Sequence, residues 1–230
     1  WLLGYGGVCC GDNVTDGWSW ISEPYLRELA AHGGNFVHIR LGPYSDTIET
    51  RPNRRGYLDS GEFNPQYFAD LNTLIDLGHS LGVYFEIDLI DGWNVKDSMR
   101  SPWPHGSNDC SILQRAPGKI HGKWLRKVVE EVGHHENILW QISNESGRCP
   151  PLGTTPEWEL GVAAIVRDQE LLSDFPRHPI ATNGELLKVD LNANIDYVEL
   201  HQSEAPENAH NKPIMVNEYN PFIGTDQFQV

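Results

Sequence analysis

Much that would mark out a membrane, nucleotide or metal protein is missing from these 230 residues. No stretch approaches the roughly 18 consecutive apolar residues of a bilayer-spanning helix, so no membrane span is expected. There is no G-x-G-x-x-G and no G-x-x-x-x-G-K-[S/T], so the usual backbone cradles for a nucleotide phosphate are absent. H-E-x-x-H and C-x-x-C are missing too, which leaves no recognisable zinc-ligand or redox spacing. Positive charge is scarce: 17 Lys and Arg stand against 32 Asp and Glu, a formal net charge of -15. Such a surface repels nucleic acid and anionic membranes but is indifferent to a neutral glycan. The opening WLLGYGG has no basic segment ahead of an apolar one, so no export signal is visible in it. Cysteine is limited to Cys9, Cys10, Cys110 and Cys149. Cys110 and Cys149 lie in Pro- and Gly-rich stretches, where either a loop-to-loop disulfide or two free thiols would fit. The disulfide would favour a secreted or extracytoplasmic protein over a cytoplasmic one.

What is present is an ordinary globular composition, 39% hydrophobic and 21% charged, in one chain long enough for a single large core. Two patterns alternate along it. Ser22 precedes EPYLRELAAH, with Tyr25, Leu26, Leu29 and Ala30 on one helical face, and the strand NFVHIRL follows Gly33 and Gly34. Asn64-Pro65 opens a second helix that puts Phe68, Leu71 and Ile75 on one face, with Gly78 and Gly82 bracketing the exit into VYFEIDL. His121 to His134 reads as a helix through Trp124, Leu125, Val128, Val129 and Val132, followed by ILWQIS. Thr155-Pro156 opens another, and PIAT, IDYVEL and PIMVNE follow as short strands.

Repeated strand–helix units predict a parallel sheet covered by helices, either doubly wound or closed into a (β/α) barrel. Polar residues collect at the carboxyl ends of the strands: Arg40, Asp88, Asn144 with Glu145, Asn183, His201, and Asn217 with Glu218. In a barrel those ends form one rim, where chemistry is assembled, so a single (β/α)8-type domain over residues 1–230 is expected. Its first strand, near residues 2–5, is weakly marked, and an eighth would have to begin after Phe222, so the barrel should be truncated or irregular. The connections 184–194 and 202–212 are short enough that only degenerate helices are expected there. The stretches 43–64 and 91–118 read as long rim loops.

Glu145 and Glu218 end two of these strands. Glu218 shares the parity of Ile214 and Val216, which suggests a common inward face. Two glutamates on one rim are what glycoside hydrolysis requires, one held protonated to release the leaving oxygen and one ionised to attack or to activate water. Each would otherwise be a salt-bridging surface acid.

The segment LWQISNES resembles the fourth-strand signature of the clan of retaining (β/α)8 glycosidases that includes the family 5 cellulases and mannanases. PIMVNEYN is similar to that clan's seventh-strand segment and GNFVHIRLGPY to its second. The resemblance runs from about residue 20 to residue 220 in the right strand order. It implies Glu145 as acid/base, Glu218 as nucleophile, and Arg40 as the residue supporting the nucleophile. It implies hydrolysis of a β-linked oligo- or polysaccharide with retention, without a cofactor. The match departs from family 5 at the third strand, where EIDLIDGW has no histidine, and at the sixth, where His201 in LHQ has no tyrosine two residues on.

The other candidates each carry two readings. Asn144 and Asn217 would hold the nucleophile or a sugar hydroxyl. His201 would bond the nucleophile or a hydroxyl, or simply serve as a rim hydrogen-bonder. Asp88, with Asp91, would bind hydroxyls or cap a solvated loop. Trp93 and Trp103 would stack on pyranose rings or pack the loops down. Trp124, Trp140 and Trp158 read as core. His134-His135, at a helix end, reads as solvated, and no metal is expected. Two alternatives remain open, a barrel that binds carbohydrate without catalysis and a metal-dependent barrel hydrolase using Asp88 and histidines. Oligomeric state is not legible.

Overall fold

The structure, a computed structural model, describes residues 23–41, 56–58, 61–90, 113, 116–144, 154–182, 192–200 and 212–216. Among these residues six strands form one sheet: β1 (Phe36–Arg40), β2 (Tyr84–Asp88), β3 (Ile138–Gln141), β4 (Ile180–Thr182), β5 (Tyr197–Leu200) and β6 (Ile214–Val216). Every neighbouring pair is parallel, and the order in the sheet is the order in the chain. A doubly wound sheet reverses its strand order at a switch point. This one never reverses, so the barrel is the solution the chain adopts. The six strands make a curled, partial barrel, as the sequence led one to expect. The candidate first strand near residues 2–5 and any eighth strand fall outside the described residues.

Side-chain reach shows how far the sheet curls. In a flat sheet β2 and β5, three steps apart, would stand about 14 Å from one another. Yet the Tyr197 hydroxyl on β5 donates to Glu86 Oε1 on β2 across 2.5 Å. The two side chains converge only if the sheet folds round to face itself.

Among the described residues four helices cover the outer face: α1 (Glu23–Ala31), α2 (Pro65–Ser80), α3 (Lys119–Val132) and α4 (Pro156–Leu172). Two begin as their sequences dictate. The Asn64 side chain accepts from the Gln66 N–H at 3.1 Å and the Thr155 hydroxyl from the Trp158 N–H at 3.2 Å, each with Pro at the next position, where no N–H is needed. Gly33 after α1 and Gly82 after α2 take φ of +80° and +73°, a region closed to most side chains. Gly78 lies inside α2 rather than at its exit.

The core fills the space between helices and sheet. Val37, Ile39, Phe85, Ile87, Ile138, Trp140, Ile180 and Val198 face Leu71, Ile75, Trp124, Val128, Trp158, Val162 and Val166, all buried. Each such side chain contributes roughly 1.5–3 kcal/mol by leaving water. The three tryptophans read as core are wholly buried. His135 corrects its expectation. It is buried, its Nε2–H donating to Asn72 Oδ1 at 2.7 Å, while His134 beside it is exposed.

Candidate functional site

The carboxyl ends of β1 to β3 stand side by side. Arg40 ends β1 opposite Asp88, the last residue of β2, and Asp88 pairs in register with Gln141 of β3. Pairing continues towards the rim. The Leu89 N–H donates to Gln141 O at 3.0 Å and the Asn144 N–H to Ile90 O at 2.9 Å. Asn144 is wholly buried at that edge. Thus Arg40, Asp88 and Asn144 share one rim. Glu145, Glu218, Asn217, His201, Asn183, Trp93, Trp103, Asp91 and all four cysteines lie outside the described residues.

Asp88 is no solvated loop cap. Fully buried, it places Oδ1 2.7 Å from His38 Nε2. The same nitrogen stands 2.9 Å from Gln141 Oε1. The reason is strand parity: on β1 and β2 the residues of one face, His38, Glu86 and Asp88, point away from the helices and into the lumen.

The register also bears on the two glutamates. Residues paired across parallel strands share a face, and Glu199 pairs with Met215. Met215 therefore stands on the lumen face beside Glu199, and Ile214 on the other, so the parity of Ile214 does not mark the inward side. On β3 the lumen face carries Leu139 and Gln141, the parity of Glu145.

Inside the lumen is a group of polar residues that sequence reading passed over: His38, Glu86, Gln141, Tyr197 and Glu199, all buried. Burial pushes the Glu86 carboxyl up to about 7, against the pull of His38 and of the Tyr197 hydrogen bond, with Asp88 adding to the rise. Burial, and the nearby Glu86 and Glu199 carboxylates, hold the Tyr197 phenol well above its ordinary range, so it stays a donor. One atom each from His38, Glu86 and Glu199 lie within 4.8 Å of one another. A signal was present: VHIR, YFEID and YVEL each set a polar residue amid apolar ones, a pattern consistent with a sheet whose inner face is polar.

Two other features are set aside by their place in the fold. Gly78-His79-Ser80-Leu81-Gly82 spells G-x-S-x-G, but a nucleophile elbow leads from strand to helix. Ser80 ends a helix instead, and its hydroxyl donates to Leu77 O at 2.6 Å. A groove of about 360 Å³ between Leu139, Pro179, Tyr197, Pro213 and Met215 lies at the amino-terminal side of β3 to β6. Asp196 also lines it, but the exposed lining is almost wholly apolar.

No family model matches the chain, and no curated protein does. Solved structures do. A glycoside hydrolase family 5 mannosidase from Rhizomucor miehei aligns over 88% of this chain with a TM-score of 0.57 at 16% identity. A family 5 glycoside hydrolase from Bacteroides vulgatus aligns over 85% with a TM-score of 0.54 at 13% identity. A β-1,4-D-mannanase from Cryptopygus antarcticus aligns over 85% with 0.52 at 13%. The chain covers 57%, 44% and 68% of those proteins, and so spans about half the length of several structures it resembles. At such identities the likeness is one of fold, the barrel of glycoside hydrolase family 5.

Proposed function

We propose that this chain carries the catalytic rim of a retaining glycoside hydrolase acting on a β-linked oligo- or polysaccharide. One observation supports this most: the parallel sheet, whose strand order and curl are those of glycoside hydrolase barrels, brings β3 to the rim at the buried Asn144, immediately before Glu145 in sequence. In this reading Glu145 protonates the departing oxygen while Glu218 attacks the anomeric carbon. Water then enters with Glu145 as base. Asn144 and Asn217 bond the sugar's 2-hydroxyl or the nucleophile, Arg40 keeps the nucleophile ionised, and Asp88 braces the rim through His38. His201, Trp93 and Trp103 contribute hydroxyl bonding and ring stacking. The structures it resembles include a mannosidase, a mannanase and an endoglucanase. A secreted location fits a polysaccharide substrate.

The test is hydrolysis of a panel of aryl β-glycosides and β-mannans and β-glucans by the wild type, Glu145→Gln and Glu218→Gln. Loss of the general acid lowers kcat/KM by roughly 10²–10⁴-fold, about 3–5 kcal/mol of barrier. The first-formed product, followed by proton NMR, keeps the substrate's anomeric configuration. An active wild type of which either variant keeps more than about a tenth of the rate rules out this pairing. A folded wild type inert on the whole panel favours a carbohydrate-binding barrel instead.

A further inference from the structure

Glu86, Asp88 and Glu199 are three carboxylates with no solvent exposure, gathered round the imidazole of His38. Burying such charge without compensation is costly, by several kcal/mol for each ion. Tyr197, His38 and other neighbouring groups attend to part of it. Glu86 Oε1 is engaged by the Tyr197 hydroxyl, but Glu86 Oε2, also buried, has no hydrogen-bond partner among the described residues. A polar atom left so is a sign of something that binds there.

We propose that the barrel lumen is a binding site for one divalent first-row transition cation, of the Zn2+ or Mn2+ type, with His38, Glu86 and Glu199 as its protein ligands. The three residues come from β1, β2 and β5, and an imidazole nitrogen and two carboxylate oxygens lie within 4.8 Å of one another. Three bonds of about 2.0–2.2 Å to a common centre in tetrahedral geometry put the ligand atoms roughly 3.3–3.6 Å apart. Side-chain shifts of up to roughly 0.7 Å for each ligand atom therefore close the site. One imidazole among oxygen donors suits Zn2+ and Mn2+ better than Ca2+ or Mg2+, which take oxygen ligands alone. Other polar groups of the lumen stand beside these ligands: Asp88 and Gln141 lie 2.7 and 2.9 Å from His38 Nε2, and Tyr197 donates to Glu86. The cation would balance the buried charge and tie β5 to β1 and β2, stiffening the floor beneath the rim. This inference does not rest on the glycosidase reading, and its test measures no hydrolysis.

Because the ligands are buried, loading calls for opening of the barrel. Wild type, Glu86→Gln, Glu199→Gln and the double variant are unfolded in urea with EDTA. They are then desalted in urea and refolded with EDTA, Zn2+ alone or Mn2+ alone. Bound metal after gel filtration is measured by mass spectrometry and Tm by calorimetry. The wild type is expected to retain close to one equivalent of Zn2+ or Mn2+, with a Tm raised by roughly 5–10 °C over its EDTA form. The Gln variants keep the side-chain shape and lose the charge. They are expected to refold in EDTA with Tm equal to or above that of the metal-free wild type, yet to retain less than a tenth of an equivalent and show no metal-dependent shift. Metal bound equally by wild type and double variant would overturn the proposal, because surface acids would then account for it. So would a wild type that refolds with either ion but keeps none, the buried carboxyls then being protonated.

Discussion

Glu170 on α4 offers a sharp test of how the helical layer is fastened to the sheet. Its Oε1 accepts from Trp140 Nε1 at 3.0 Å, from the His178 N–H at 3.2 Å and from His178 Nδ1 at 2.8 Å, and its Oε2 accepts from Arg167 Nη1 at 2.7 Å. His178 lies between two acceptors, its second ring nitrogen standing 2.7 Å from His135 O. Arg167 in turn reaches His178 O and Asp196 Oδ2, which accepts from the Ile180 N–H. One carboxylate thus ties α4 to β3, to the approach to β4 and, through Arg167, to the segment before β5. Burial works against its charge, but the bonds from His178, Arg167 and Trp140 outweigh that and hold its pKa below the usual glutamate value.

Glu170→Gln keeps an acceptor for Trp140 and the His178 N–H. It removes the charge that the Arg167 guanidinium faces, and it sets an amide NH2 against that guanidinium. A charge-assisted hydrogen bond is worth about 1.5–3 kcal/mol, and Arg167 keeps its other acceptors, so the expected loss is about 2–4 kcal/mol near pH 7. For a chain of this length that lowers Tm by roughly 4–16 °C. The sign with pH follows from the depressed pKa. The stabilisation is complete above the unfolded value of 4.5 and is lost as pH falls through the folded value, so wild type and variant converge in acid. Urea unfolding at a series of pH values, in a buffer of constant ionic strength, measures the gap. A gap below about 0.5 kcal/mol at neutral pH, or one unchanged down to about pH 3, refutes the reasoning.

Two further outcomes are expected. Gly78→Ala sets helix propensity, which favours Ala by about 1 kcal/mol, against a new Cβ placed 2.2 Å from Phe85 Cε2. Phe85 is wholly buried and has no room to retreat. Overpacking at about 1–3 kcal/mol should win, and a variant as stable as wild type in urea would show that α2 and β2 lie farther apart. His135, whose pKa is lowered to about 4 chiefly by burial, stays neutral in the folded protein while the unfolded chain takes up a proton below 6.5. Folding stability therefore falls by up to about 3 kcal/mol between those values, and His135→Gln should flatten that part of the curve. NMR titration of the ring should give a midpoint near 4, and a midpoint at or above 6.5 would contradict the burial argument.

What could be read from the sequence was local, and what could not was long-range. Asn64-Pro65 and Thr155-Pro156 name their helix starts because a cap and the N–H it serves are two or three residues apart. The runs FVHIR, YFEID and ILWQ name their strands because β-branched and aromatic residues there must be covered by helices of matching period. The Asn-Glu pair after β3 is likewise a signal contained in a few residues. Whether those strands wind into a barrel or a doubly wound sheet is a matter of order in the sheet, which no segment encodes by itself. Nor does any segment reveal that His135 is buried, since Asn72 and Asp76 reach it from another helix. The lumen cluster depends most on tertiary structure. Tyr197 meets Glu86 from 111 positions away, and His38 meets Gln141 from 103. Strand parity alone could say that such residues point together. Only the curl of the sheet, by bringing opposite strands within reach of one side chain, turned scattered polar positions into one buried site.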